Sequence, residues 1–150
     1  MTRAFLALGS NLGDRWGYLR AGVASLPDVS ALSHVYETEP VGGPGGQGPY
    51  LNMVAELATG LGPLQLLEAA RAAESDAGRR RVVRWGPRTL DVDVLMVGDI
   101  EMATEELTLP HPRMWERGFV LVPLADLAPE LVAGHPGAAV ARGVRLAGDL

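Results

Sequence analysis

Arg84-Trp85-Gly86-Pro87-Arg88-Thr89-Leu90-Asp91-Val92-Asp93 is the stretch of this sequence where residue types and spacing could do chemistry. Thr89–Val97 has the pattern of a strand, on which residues two apart share a face. Asp91 and Asp93 therefore point the same way, while Leu90, Val92 and Val94 point into a core. Two neighbouring carboxylates repel each other unless a positive group sits between them. A hard divalent cation suits that place, and Mg²⁺ takes one or two carboxylates together with phosphate oxygens and water. An isolated D-x-D is more often a solvated strand face, but this one follows directly on a basic segment. Five of the 13 Arg in the chain fall at Arg79, Arg80, Arg81, Arg84 and Arg88. A guanidinium presents fixed donors that match phosphate oxygens two at a time. Arg79 and Arg80 have a plainer use, relieving the dipole at a helix C-terminus. The Trp and Gly-Pro between Arg84 and Arg88 have none.

The composition narrows the chemistry further. The 150 residues contain no Lys, which removes a P-loop lysine, a kinase β3 lysine and Schiff-base catalysis. Phosphate would have to be handled by Arg, metal ions and backbone N–H groups. A net charge of −5 argues against nucleic acid as a partner. Cys is absent, so disulfides, thiolate chemistry and Cys-ligated zinc are excluded. The length fits one domain spanning residues 1–150, and the absence of Cys fits a reducing compartment, so the cytoplasm is expected; a monomer is expected too, although the sequence itself does not reveal the oligomeric state. No segment approaches the ~18 apolar residues of a membrane span, and Met1–Ser10 lacks a signal-peptide core.

Three further places attract attention. His111 lies in Pro110-His111-Pro112-Arg113, stiffened by two prolines, with Arg117 and Phe119 close behind. A lone His is more often structural, and His34 and His135 have no comparable setting. Tyr50 and Asn52 share a strand face beside the Gly- and Pro-rich stretch 40–49. An aromatic ring and an amide suit a flat heterocycle, although a half-exposed sheet face explains them equally well. Leu8–Gly13 (LGSNLG) matches no phosphate-loop pattern and reads as a tight strand-to-helix turn.

The elements that must position these groups follow from periodicity. Ala4–Gly9 reads as a buried strand, and Arg15–Leu26 as a helix capped by Asp14, with Leu19, Val23 and Leu26 on its inner face. Val29–Thr38 and Tyr50–Thr59 read as strands. A helix starts at Pro63 with Leu64, Leu67, Ala70 and Glu74 on one face, and Gly78 ends it. After the Thr89–Val97 strand comes a short helix over Phe119–Leu127. The order β-α-β-β-α-β predicts a ferredoxin-like α+β fold, an antiparallel sheet with helices on one face, plus a C-terminal extension.

Taken together, these segments resemble the hydroxymethyldihydropterin pyrophosphokinase (HPPK) family of folate biosynthesis. The resemblance rests on Leu8–Gly13, Tyr36–Gly42 (YETEPVG), Gln47–Asn52 (QGPYLN), Glu74–Arg81, Arg84–Asp93 (RWGPRTLDVD), Leu109–Arg113 (LPHPR) and Arg117–Leu124 (RGFVLVPL), in the family's order. It implies transfer of the pyrophosphoryl group of ATP to the pterin hydroxymethyl, with release of AMP. Asp91 and Asp93 would hold two Mg²⁺. Arg79 and Arg88 would act in catalysis, and Arg79, Arg81, Trp85, Arg88, Thr108, His111 and Arg117 would bind ATP. Thr38, Val41, Tyr50, Asn52, Trp85 and Phe119 would bind pterin, Thr38 and Val41 through their backbone. Glu74 matches a polar position in the helix before the basic segment. Pro112 stands where some relatives carry a tyrosine, and nothing from about Val132 onward is recognisable.

Pyrophosphoryl transfer needs in-line positioning and neutralisation of charge, with little covalent work by the protein. No general base is evident, so a metal-lowered hydroxyl pKa is expected. The segment Arg79–Pro87 would close over the substrates once phosphate is bound. Two other readings stay open at this point. One is a different metal-dependent phospho- or nucleotidyltransferase using the same D-x-D. The other is a non-catalytic ferredoxin-like module, which an acidic sheet face and 5% aromatic residues disfavour for RNA.

Overall fold

The strand Thr2–Ser10 (β1) lies inside the sheet, with strands on both sides, because both of its faces are apolar: Ala4, Leu6 and Leu8 are buried on one side and Phe5 on the other. The computed structural model describes residues 1–39, 49–77, 89–134 and 143–150. A turn with Gly13 in the left-handed region leads into the helix Arg15–Ser25 (α1), where the Asp14 carboxylate accepts the Gly17 N–H at 3.1 Å. Val29–Leu32 (β2) and Val35–Thr38 (β3) follow, then the long strand Tyr50–Thr59 (β4). The helix Pro63–Asp76 (α2) returns the chain to Asp91–Val97 (β5). Beyond lie a small hairpin of Met102–Ala103 (β6) and Thr108–Leu109 (β7), a 3₁₀ turn at Met114–Glu116, and the helices Gly118–Leu127 (α3) and Pro129–Val132 (α4). Val144–Gly148 (β8) ends the chain's regular structure.

The sheet runs β5-β1-β4-β3-β8, with β2 also on β4, and every pairing is antiparallel. All nine residues of β1 pair with β4, from Thr2 opposite Thr59 to Ser10 opposite Leu51. The other side of β1 pairs with β5, where a register shift leaves Leu95 as an extra residue between Val94 and Met96.

Alternate residues of these strands build two separate cores. Leu6, Leu8, Met53, Ala55, Val92 and Val94 pack with Leu19, Leu66 and Ala70 beneath α1 and α2. Phe5, Val54 and Leu95 pack with Met114, Val120, Leu121 and Leu124 beneath α3. Helices therefore cover both faces, not one as the element order suggested, because α3 is apolar enough to close the second face. Each fully buried Leu in either layer contributes about 1.5–3 kcal/mol.

Other expectations shift in detail. The expected strand Val29–Thr38 is two strands, because the Ser33 hydroxyl takes the Val54 N–H at 2.8 Å and interrupts the ladder. The buried side of α2 is Leu66, Ala70, Ala73 and Glu74, while Leu64 is exposed. The unrecognised tail supplies β8, which pairs with β3.

Candidate active site

Sheet register brings the candidate residues into rows. Gly9 stands between Asp91 of β5 and Asn52 of β4, and Tyr36 of β3 continues that row. Ala7 stands between Asp93 and Val54 in the next row. Thr38 pairs with Tyr50 one step further out. All these residues share the α3 side of the sheet, since their neighbours Leu8, Leu51, Met53 and Val92 belong to the opposite core. The Asp91 and Asn52 backbones lie two strand spacings apart, about 10 Å. Asp91 and Asp93 are half-buried, as are Tyr50 and Phe119, whereas Asn52 and Thr38 are buried.

Glycine at position 9 is required by this arrangement. A Cβ there would stand 2.9 Å from Asn52 Oδ1, so the amide leans over the bare backbone of β1. Asn52 Nδ2 donates to Thr38 Oγ1 at 2.7 Å, which fixes the amide plane; among the described residues its carbonyl oxygen and second N–H make no other hydrogen bond. At the end of the row the Tyr36 hydroxyl donates to Asp126 on α3 at 2.8 Å. Burial, reinforced by that carboxylate, pushes the phenol up to about 12. Tyr36 thus ties α3 to the sheet, a role that strand periodicity gave no hint of.

The carboxylate pair is held from both ends. Glu74, buried on α2, accepts the Val92 N–H at 2.9 Å and so satisfies the free edge of β5 between the two Asp. The Ser10 hydroxyl donates to the Thr89 carbonyl, joining the end of β1 to the approach of β5.

His111 donates its backbone N–H to Leu95 O at 2.9 Å, which lays the Thr108–His111 segment along the outer edge of β5. Burial lowers the imidazole pKa, and the Arg117 and Arg113 charges lower it further, with partial compensation from Asp91. These effects favour the neutral ring. Nδ1 accepts the Arg113 N–H at 3.2 Å, so in the neutral ring the proton belongs on Nε2, where it can act as a donor. The Arg117 guanidinium sits 5.6 Å from the centre of the Phe119 ring at the start of α3. His111, Arg117 and Phe119 thus come together near the Asp91 end of the same face.

Val41, Arg79, Arg81, Trp85 and Arg88 lie outside the described residues, as do Arg80, Arg84 and the expected closing segment Arg79–Pro87. No cluster of three or more metal-type side chains occurs among the described residues. A pair of carboxylates suits Mg²⁺, which leaves most of its coordination to phosphate and water.

Comparison with known proteins gives first a fold and then a family. The fold is shared with a crystal structure of an HPPK-DHPS in complex with substrates, at a TM-score of 0.67, 12% identity and 91% coverage of this chain. It is shared equally with a Plasmodium falciparum HPPK-DHPS mutant, at a TM-score of 0.65 and 15% identity. The chain spans 41% of each of those longer chains. In sequence it is 48% identical over 133 residues to the 2-amino-4-hydroxy-6-hydroxymethyldihydropteridine pyrophosphokinase of Bacillus subtilis, covering 85% of this chain and 79% of that one. It is 45% identical over 134 residues to the Pseudomonas aeruginosa protein of the same name, covering 86% and 82%. The family model for 7,8-dihydro-6-hydroxymethylpterin-pyrophosphokinase matches residues 5–129. The chain belongs to that family.

Proposed function

We propose that the chain transfers the pyrophosphoryl group of ATP to the hydroxymethyl of 6-hydroxymethyl-7,8-dihydropterin, releasing AMP and the pterin diphosphate in folate biosynthesis. The observation that carries this reading is the family match over residues 5–129, which includes every residue assigned a role here. The strand order and the alternation of two helices with four antiparallel strand positions support a ferredoxin-like assignment, with α3, α4 and β8 added to it.

The pterin lies across the Asn52–Gly9 end of the sheet face. Tyr50 and Phe119 offer aromatic surface, and the Asn52 carbonyl and free N–H pair with the polar edge of the heterocycle. Thr38 and Val41 are assigned backbone contacts to the pterin, and Trp85 is assigned to the pterin as well. ATP lies toward β5, with His111 Nε2–H and Arg117 donating to phosphate oxygens, Thr108 alongside, and Arg79, Arg81 and Arg88 neutralising the charge of the transferred group. Asp91 and Asp93 would hold two Mg²⁺, which when bound would screen the phosphate oxygens and acidify the hydroxymethyl. The protein's own task is in-line alignment of the pterin hydroxyl with the β-phosphorus and exclusion of water. We place the chain in the cytoplasm, as a monomer of one domain.

An initial-rate assay with ATP and Mg²⁺, with and without the reduced pterin, tests the reading. AMP formed only when pterin is present is the expected result. ADP or pyrophosphate as product, or turnover indifferent to pterin, would assign the chain to another class of transferase.

A further inference from the structure

Behind the pterin side of the sheet lies a group of charges that the reaction does not use. Arg15, the first residue of α1, sends its Nη1 to Glu37 Oε2 at 3.2 Å and to the Pro49 carbonyl at 3.0 Å. Glu37 belongs to β3, one residue before Thr38, and Pro49 immediately precedes Tyr50 of β4. The two strands run antiparallel, with Thr38 opposite Tyr50, and in sequence they are joined through residues 40–48. One nitrogen thus grips both strands beside their last pair. Glu37 alternates with Tyr36 and Thr38, so the grip is on the opposite face from the side chains of Thr38 and Tyr50.

The position of Arg15 is otherwise unfavourable. A cation in the first turn of a helix opposes the helix dipole, and Asp14 at the cap is the one carboxylate at this end of α1 to offset it. Its partners therefore explain its presence better than helix stability does. The Arg15 and Glu37 side chains are 28% and 30% exposed, so water competes only in part for this pair. Arg145 of β8 reaches the other Glu37 oxygen at 2.9 Å but is 55% exposed. The hydrogen bonds and charges of Arg145 and Arg15 hold the Glu37 carboxyl below the usual carboxylate range.

We propose that Arg15 is a positioning residue for the pterin: by bonding Glu37 and Pro49 O together, it holds the ends of β3 and β4 from which Thr38 and Tyr50 face the pterin. This inference rests on the assignment of Thr38 and Tyr50 to the pterin pocket. Both contacts come from a single terminal nitrogen, so an ammonium, with three donors of its own, can replace it.

Steady-state kinetics with each substrate varied, on the full chain, test the proposal through Arg15→Ala, Arg15→Lys and Glu37→Gln. Arg15→Ala should raise the pterin KM by about fivefold to thirtyfold, the ratio that a loss on the scale of one such contact produces. Its ATP KM and kcat should stay within about twofold of the parent, the signature of lost ground-state binding to one substrate. Arg15→Lys should recover most of the pterin KM, and Glu37→Gln should shift it in the same direction as Arg15→Ala but less. An unchanged pterin KM in Arg15→Ala overturns the proposal. So does an equal rise in both KM values that Arg15→Lys fails to reverse, since that is a general structural defect. If Arg15→Ala does not fold, Arg15→Lys and Glu37→Gln decide by the same split. A parent chain that forms no AMP with pterin would overturn the functional reading itself, a result distinct from any of these.

Discussion

The two faces of one sheet have been put to different uses, although they are woven from the same strands. On the α1–α2 side, Leu8, Leu51, Met53, Val92 and Val94 form a continuous apolar layer, and α1 comes so close that a Cβ on Gly22 would meet Leu90 Cδ2 at 2.9 Å. On the α3 side the apolar layer covers Phe5, Val54 and Leu95 and then gives way to Asp91, Asp93, Asn52, Thr38 and Tyr50. Polar groups gathered on one face, on a backbone held from behind by close packing, are what a preorganised site requires. The packed face provides the rigidity, and the other face is where we propose the chemistry takes place. Substitutions on the two faces should therefore separate stability from activity.

The largest separation is expected at the carboxylates. Asp91→Asn and Asp93→Asn should each lower AMP formation by more than about a hundredfold under saturating Mg²⁺, because metal charge stabilisation is worth several kcal/mol of barrier. Their thermal midpoints should stay close to the parent's, since both side chains are half-buried on the polar face. Parental rates in either variant would remove the metal assignment.

Next in size is the packed face. Gly22→Ala should cost about 1–3 kcal/mol in denaturant unfolding by forcing Leu90 and Leu8 apart, with the residual folded protein keeping its KM values. The mirror experiment is Gly9→Ala. Its Cβ displaces only the end of a side chain, Asn52 Oδ1, so stability should change little while the pterin KM rises, as it should for Asn52→Ala. Loss of the paired amide is worth about 1–3 kcal/mol. A rise confined to the ATP KM would show that Asn52 faces the other substrate.

The smallest effect lies at the far end of the polar side. His34 pairs with Asp149 beyond β8, and that hydrogen bond and charge raise its pKa above the ordinary histidine value. A group whose folded pKa is raised stabilises the fold fully below its unfolded value, near 6.5, and the contribution fades as pH rises through the folded value. An NMR titration should find the His34 midpoint above ~6.5 and see it fall in Asp149→Asn, with kcat unchanged. A change in kcat would extend the functional region to the C-terminal strand.

Much of this division was legible in the sequence. Period-two alternation in Tyr50–Thr59 and Asp91–Val97 separates Asn52, Asp91 and Asp93 from the apolar residues beside them, and no partner strand is needed to see it. What escaped depends on contacts distant in sequence. Leu64, Leu66 and Leu67 spread around α2, so periodicity alone could not tell that Leu66 faces the sheet. The apolar run of α3 shows no single face, and so did not reveal that it would close the second side of the sheet. The closeness of Gly9 to Asn52 and the grip of Arg15 on Glu37 and Pro49 exist only once β1, β3, β4 and α1 are side by side. Ser33, whose hydroxyl breaks one expected strand into two, gave no signal beyond its type.

The most direct measurement is a crystal structure of the chain with Mn²⁺, a non-hydrolysable ATP analogue and the reduced pterin, read by anomalous scattering. Metal peaks about 2 Å from the Asp91 and Asp93 carboxylates, as six-coordinate oxygen ligation requires, with the pterin over Gly9 and against Asn52, are the predicted result. Metal or pterin bound anywhere but on the α3 side of the sheet would contradict the account.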